Sequence, residues 1–228
     1  MERLTEMQEL RLGELKYVIK YPNDFSSERK YPILLFLHGA GTRGDDIGKL
    51  IGAPFFTITQ TYQDFPFVCV APLCSANTWF DLWESLEKLV VEIAKLPFAD
   101  RSRIYLMGAS MGGYATWQLA MSMPKYFAAI VPICGGGMYW NAGRLAEVSV
   151  WAFHGGKDTV VFPEESVKMV DAVNRNGGNA KLTVYPENGH DAWSDTYSDP
   201  AVFSWLLQHR CAGKNECFDK YNSSDIYG

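Results

Sequence analysis

Short, nearly continuous apolar runs alternate along this chain with longer segments whose apolar residues recur every three or four positions. The runs Leu15–Tyr21, Ile33–His38, Phe67–Ala71, Arg103–Met107, Ala128–Cys134, Val148–His154 and Ala180–Tyr185 predict strands. Several of them are apolar at almost every position, as in strands covered on both faces. The clearest helix is Leu82–Leu96, where Leu82, Leu86, Leu89, Val90, Ile93 and Leu96 share one face. Glu84, Glu87, Lys88, Glu92 and Lys95 occupy the other. Met111–Ser122, Pro163–Asn174 and Pro200–His209 also read as helices, with Gly177-Gly178 as a stop signal. This alternation predicts an α/β fold: a mainly parallel, doubly wound sheet with helices on both faces. Leu15–Tyr21 is expected to be antiparallel at one edge. The connection from Ala128–Cys134 to Val148–His154 is too short for a large helical lid, so no large cap domain and an open site are expected.

No repeat, linker or low-complexity stretch interrupts the pattern. A single domain over residues 1–228 follows, with its core at about 15–210 and a polar, aperiodic tail at 211–228 expected to be partly disordered. A chain of 228 residues, 47% hydrophobic, has length and apolar content enough for one large core. A formal charge of −5 argues against nucleic acid or an anionic membrane surface as a partner. No apolar stretch is long enough to cross a bilayer. The charged start Met1–Glu9 lacks the apolar segment of a signal peptide. It points to a cytoplasmic protein, or to a secreted one whose leader has been removed. Cys69 and Cys134 lie in apolar runs and are expected to be buried thiols. Cys74 follows a strand. Cys211 and Cys217 flank a polar segment and are placed to pair in an oxidising environment, whereas no spacing suggests a metal site.

The chemistry is concentrated in Gly108-Ala109-Ser110-Met111-Gly112-Gly113, directly after the apolar run Ile104–Met107. A serine in G-x-S-x-G between strand and helix marks a nucleophile elbow, a turn so sharp that only small residues fit on either side. A serine hydroxyl is a weak nucleophile and needs a base, which in turn needs an orienting acid. Of the four histidines, His190 lies in a loop after Ala180–Tyr185, at a strand's carboxyl end, where open α/β sheets place their ligands. Asp158, after His154-Gly155-Gly156-Lys157, falls between Ser110 and His190 in the required order. Asp191 is a weaker rival, and His154 reads as structural. The oxyanion requires two backbone N–H donors. Met111 supplies one, and Ala40, in the small-residue turn His38-Gly39-Ala40-Gly41, the other, with Gly41 as competitor. His38 reads as a turn-stabilising residue.

Five blocks carry a wider resemblance: FLHGAGTRGDD (within Leu35–Asp46), RIYLMGASMGGYATW (Arg103–Trp117), FAAIVPICGGG (Phe127–Gly137), WAFHGGKD (Trp151–Asp158) and VYPENGHDAW (Val184–Trp193). Across about Leu15–Arg210 the chain resembles the α/β-hydrolase superfamily. Within it, the chain is similar to the phospholipase/carboxylesterase-like or "predicted peptidase" esterases, and to the catalytic domains of feruloyl and acetylxylan esterases and polyhydroxyalkanoate depolymerases. The resemblance implies ester hydrolysis through an acyl-enzyme, without a cofactor, and supports Ser110, Asp158 and His190 motif by motif. Serine at position 110, in place of the cysteine of dienelactone hydrolases, is expected to separate the chain from that relative.

Aromatic residues near the expected mouth are candidates to hold an aryl acyl group or a sugar: Trp79, Trp193 and Trp140, with Phe80 and Tyr139 beside them. Arg43, Asp45 and Asp46 follow the oxyanion turn as candidate rim charges. The expected activity is that of a serine carboxylesterase on short-chain or aromatic acyl esters, small or saccharide-linked, such as feruloyl and acetyl esters of plant polysaccharide. A small serine peptidase or thioesterase is the alternative.

Overall fold

Alternation of side chains inside the apolar runs builds the sheet. The computed structural model describes residues 7–211. In chain order its strands are β1 (Gln8–Leu12), β2 (Leu15–Lys20), β3 (Tyr31–Leu37), β4 (Val68–Pro72), β5 (Ala99–Ala109), β6 (Ala129–Ile133), β7 (Ser149–Gly155) and β8 (Ala180–Tyr185). The helices are α1 (Ile47–Ile51), α2 (Pro54–Thr59), α3 (Trp83–Lys95), α4 (Met111–Ser122), α5 (Glu164–Arg175), α6 (Trp193–Ser198) and α7 (Pro200–Leu207). On β3, Ile33, Leu35 and Leu37 enter one core while Leu34 and Phe36 enter the other. On β5, Ile104 and Leu106 join the first core, and Tyr105 and Met107 the second. A strand that buries both faces has no polar positions to alternate, which explains the continuous apolar runs.

The first core holds the buried faces of α3, α4 and α5; α3 contributes Leu86, Leu89, Val90 and Ile93. The second lies under α1, α2, α6 and α7 and holds a cluster of aromatic rings. Phe36 stacks on Phe55 with ring centroids 3.9 Å apart, and Tyr197 meets both rings edge-on. Helix α5 ends where predicted. Gly177 takes a φ of 80°, and the Gly178 N–H returns to the Val173 carbonyl, closing the last turn with a residue that has no Cβ to strain.

The sheet order is β1-β2-β4-β3-β5-β6-β7-β8. From β4 through β8 every pairing is parallel, whereas β2 is antiparallel to both β4 and β1. The antiparallel direction of β2 matches expectation, but its edge position does not, because β1 pairs along its outer side. The strand β1 carries no apolar run to betray it: four of its five residues are exposed, and it is held by the tight turn at Gly13, whose φ is 59°. Chain order reverses between β3 and β5, so their carboxyl ends open a crevice between divergent connections. No cap domain covers that end among the described residues, and no described helix is long and apolar enough to cross a membrane. Of the predicted tail at 211–228, residues 212–228 lie outside the described residues, and with them Cys217 and its expected pairing with Cys211.

Candidate active site

At the top of β5 the chain must turn at once into α4, and the glycines allow it. A Cβ on Gly108 would strike the Gly112 carbonyl and lie 2.6 Å from Thr116 Oγ1. One on Gly112 would collide with the Leu37 carbonyl, and one on Gly113 with that of Ile133. The helix therefore sits hard against the ends of β3 and β6. Between these contacts Ser110 is forced to φ 56°, ψ −119°, a conformation costing a non-glycine residue about 1–3 kcal/mol. The glycines serve packing and the strained serine together.

Ser110 Oγ lies 2.8 Å from His190 Nε2, and His190 Nδ1 lies 2.7 Å from Asp158 Oδ2. The three side chains come from loops after β5, β7 and β8 and meet in one line. Asp158 is buried, yet its second oxygen accepts N–H donors from Val160 (2.9 Å) and Val161 (3.0 Å). Burial alone would raise its pKa. The hydrogen bonds from His190 and from the Val161 and Val160 amides outweigh burial and hold the carboxyl below its usual range. With Oδ2 ionised and accepting, His190 Nδ1 is the protonated nitrogen, which leaves Nε2 free to accept from the Ser110 hydroxyl. Asp191 is engaged elsewhere, accepting from the Ser194 N–H and Oγ–H at 2.9 Å each.

The turn after β3 abuts this line. A Cβ built on Gly39 would lie 3.5 Å from Ser110 Cβ. Ala40 begins the short 3-10 turn Ala40–Thr42, and Met111 begins α4. First-turn N–H groups have no acceptor within their own helix, so both residues carry donors unpaired within their own turn. His38 fixes the turn from behind. Its Nδ1–H donates to the Gly39 carbonyl at 2.7 Å, and its Nε2 accepts the Cys74 N–H at 3.0 Å. Arg43 braces it from outside, donating through Nε to the Ala40 carbonyl and through a terminal nitrogen to that of Asn77. Arg43 also lines an open depression of about 640 Å³ with Gly44, Ser75, Ala76, Asn77 and Asp81. Asp46 caps α1 through the Gly48 N–H, and the Asp45 carbonyl accepts from Lys16.

The three tryptophans diverge. Trp193 lies edge-on to His190, with ring centroids 5.3 Å apart. Trp140 is 73% exposed, beside Tyr139. Trp79 is a correction: it is wholly buried in the first core, and its indole N–H donates to the His38 carbonyl at 3.0 Å. It supports the oxyanion turn from within and reaches no substrate. A residue not singled out for the site also lies here. Cys134, at a φ of 40° just past β6, places its thiol within 4.8 Å of Asp158 and His190 side-chain atoms. Burial pushes that thiol well above its ordinary range, so it stays protonated beside the carboxylate. Its place after the strand next to β5 was the available signal.

A relative named probable feruloyl esterase C, from Aspergillus niger, is 24% identical over 188 residues, covering 79% of this chain and 69% of its own. Dipeptidyl-peptidase 5 of Porphyromonas gingivalis is 20% identical over 238 residues, of which this chain spans 33% of the relative. Among solved structures, a thermostable esterase superposes with a TM-score of 0.76 at 29% identity over 90% of this chain and 63% of that one. Est1E from Butyrivibrio proteoclasticus shares the fold, with a TM-score of 0.69 at 16% identity over 89% of this chain and 98% of its own. The chain thus spans less than two thirds of the thermostable esterase. The Dienelactone hydrolase family model matches residues 74–203. The expectation that serine at 110 excludes that relative is overturned, because the match rests on the scaffold around the elbow and position 110 is one residue of it. With more than half of its length matched, the chain belongs to the dienelactone hydrolase family of α/β hydrolases.

Proposed function

We propose that this protein is a serine carboxylesterase acting on short-chain or aromatic acyl esters, including feruloyl and acetyl esters of plant polysaccharide. The observation that carries the reading is the position of His190, hydrogen-bonded to Ser110 Oγ on one side and to Asp158 on the other. In the cycle, Ser110 Oγ attacks the ester carbonyl carbon while His190 Nε2 takes its proton. Asp158 holds the resulting imidazolium in place. The Ala40 and Met111 N–H groups receive the oxyanion, a contribution typically worth about 3–4 kcal/mol per donor in such sites. His190 returns the proton to the departing alcohol as the carbonyl re-forms, leaving an acyl group on Ser110. Water, deprotonated by His190, repeats the two steps and frees the acid. Trp193 and Trp140 are the groups placed to meet an aromatic acyl or sugar moiety.

The feruloyl esterase relative and the esterase structure support ester substrates. The relative named dipeptidyl-peptidase 5 favours a second reading, a small serine peptidase, although this chain spans only a third of that relative. Steady-state turnover of p-nitrophenyl acetate, methyl ferulate and a peptide anilide with a shared acyl part separates the readings. The expected order is ester far above anilide, with Ser110→Ala at least about 10³-fold slower in kcat on the esters. Equal rates for wild type and variant would reject the assignment of Ser110, and faster cleavage of the anilide would favour the peptidase.

A further inference from the structure

The cycle above leaves His154 without a role, yet this side chain touches the acid on which the cycle depends. His154 is fully buried near the end of β7. Its Nε2 lies 2.9 Å from the Val161 carbonyl oxygen and 3.3 Å from Asp158 Oδ2. Neither a carbonyl nor an ionised carboxylate can donate, so Nε2 carries a hydrogen whatever the state of the other nitrogen. Nδ1 lies 2.7 Å from Ser166 Oγ, at the start of α5, and that hydroxyl is 3.0 Å from the Gly135 carbonyl after β6. The imidazole thus ties together the end of β6, the first turn of α5 and the loop bearing Asp158. Asp158 Oδ1 is taken by the Val160 and Val161 amides, and Oδ2 faces two imidazoles: it accepts from His190 at 2.7 Å, while His154 Nε2, hydrogen-bonded to the Val161 carbonyl, stands 3.3 Å away.

Resting on the esterase reading, we infer that His154 is a positioning residue for Asp158. Its Nε2–H pins the Val161 carbonyl and so fixes the loop that carries Asp158, and the same polar group, 3.3 Å from Oδ2, draws on that oxygen's charge and limits how tightly the carboxylate grips His190. Removing this N–H from beside Oδ2 leaves more negative charge facing His190, which favours the protonated imidazole. The acid limb of kcat/KM, which reports His190 losing its proton, then moves to higher pH. The other titratable side chains around the pair are Cys134 after β6, Tyr114 on α4, Glu165 on α5 and Asp191 beside His190. None of them changes in the variants below.

The test is the pH profile of p-nitrophenyl acetate hydrolysis by wild type, His154→Phe and His154→Gln. Phenylalanine keeps a ring and removes the donor; glutamine keeps an N–H near the position of Nε2. The expected result is an acid limb raised by roughly half a pH unit or more in His154→Phe and restored toward wild type in His154→Gln. A merely structural histidine lowers stability and leaves the limb in place. A limb that stays or falls in folded His154→Phe overturns the proposal. Should that variant not fold, Ser166→Ala carries the test: releasing Nδ1 loosens the same clamp, and an unmoved limb is again decisive against it. A fluorophosphonate probe run alongside keeps the two readings apart. A wild type inert to ester and probe sinks the esterase reading, and His154 with it. A wild type that turns over, with unmoved limbs in the variants, overturns the role of His154 alone.

Discussion

His38 shows at the scale of one residue how position dictates chemistry. It is 1% exposed, and burial, with Arg43 nearby adding to the effect, pushes its pKa down to about 4 despite its bond to the Gly39 carbonyl. In the unfolded chain a histidine titrates near 6.5. Between these values the unfolded state binds a proton that the folded state refuses, so stability falls as pH drops from about 6.5 to about 4. The loss is at most about 3 kcal/mol. Urea midpoints measured across that window are expected to decline in wild type and to run flatter in His38→Gln; parallel slopes would place the titration elsewhere. The structural assignment of His38 was legible from its place in a small-residue turn. The fate of Trp79 was not. Trp79, Trp140 and Trp193 look equivalent in sequence, since each lies in a loop after a strand, and local pattern carries no signal for which ring turns inward. Only the His38 carbonyl, distant in the chain, decides that Trp79 is core.

Among elements, the β5–α4 junction carries the tightest constraint. Gly112 is pressed against the Leu37 carbonyl, with the His38 carbonyl 2.9 Å from where a Cβ would stand. Backbone cannot yield as a flexible side chain can, so Gly112→Ala is expected to cost about 3 kcal/mol or more, or to prevent folding. Gly41, also in a site loop, meets nothing within 4 Å, and Gly41→Ala is expected to change stability by less than about 1 kcal/mol. Thermal or urea denaturation of the two variants checks the contrast, and similar losses would refute the packing account. The same junction explains which elements the sequence revealed. Helix α5 was readable within a residue because its apolar periodicity and end signals are local, and α4 because the serine motif marks its start; α4 itself is buried nearly all round and shows no apolar stripe. By contrast, β1, α1, α2 and α6 were missed. The strand is almost wholly exposed, and α6 is six mostly polar residues, Trp193–Ser198, that rest on α2 through Tyr197. Strand β5 begins earlier than its apolar run because the polar stretch from Asp100 to Arg103 is held by its own side chains, Asp100 bonding Ser102 and Arg103.

For the whole molecule, the order of the parallel strands gathers chemistry from loops scattered along the chain at one end of the sheet. That gathering was legible as an ordered set of motifs; the depth of the site and the direction of its rim aromatics were not, because they depend on how loops from four strands pack together. Trp140, Val160 and Phe162 stay exposed near that end, with no cap among the described residues to cover them. Hydrolysis of a sparingly soluble ester is therefore expected to rise smoothly through its solubility limit, and an abrupt jump at that point would reveal a moving cover. One further consequence follows from the bracing of the turn at Gly39 and Ala40 by His38, Trp79 and Arg43. On the proposed mechanism, a receptor for the oxyanion that already has its shape draws nothing from substrate affinity to assemble itself. Trimming the far ends of a substrate should then weaken capture and leave the pace of the captured molecule largely intact.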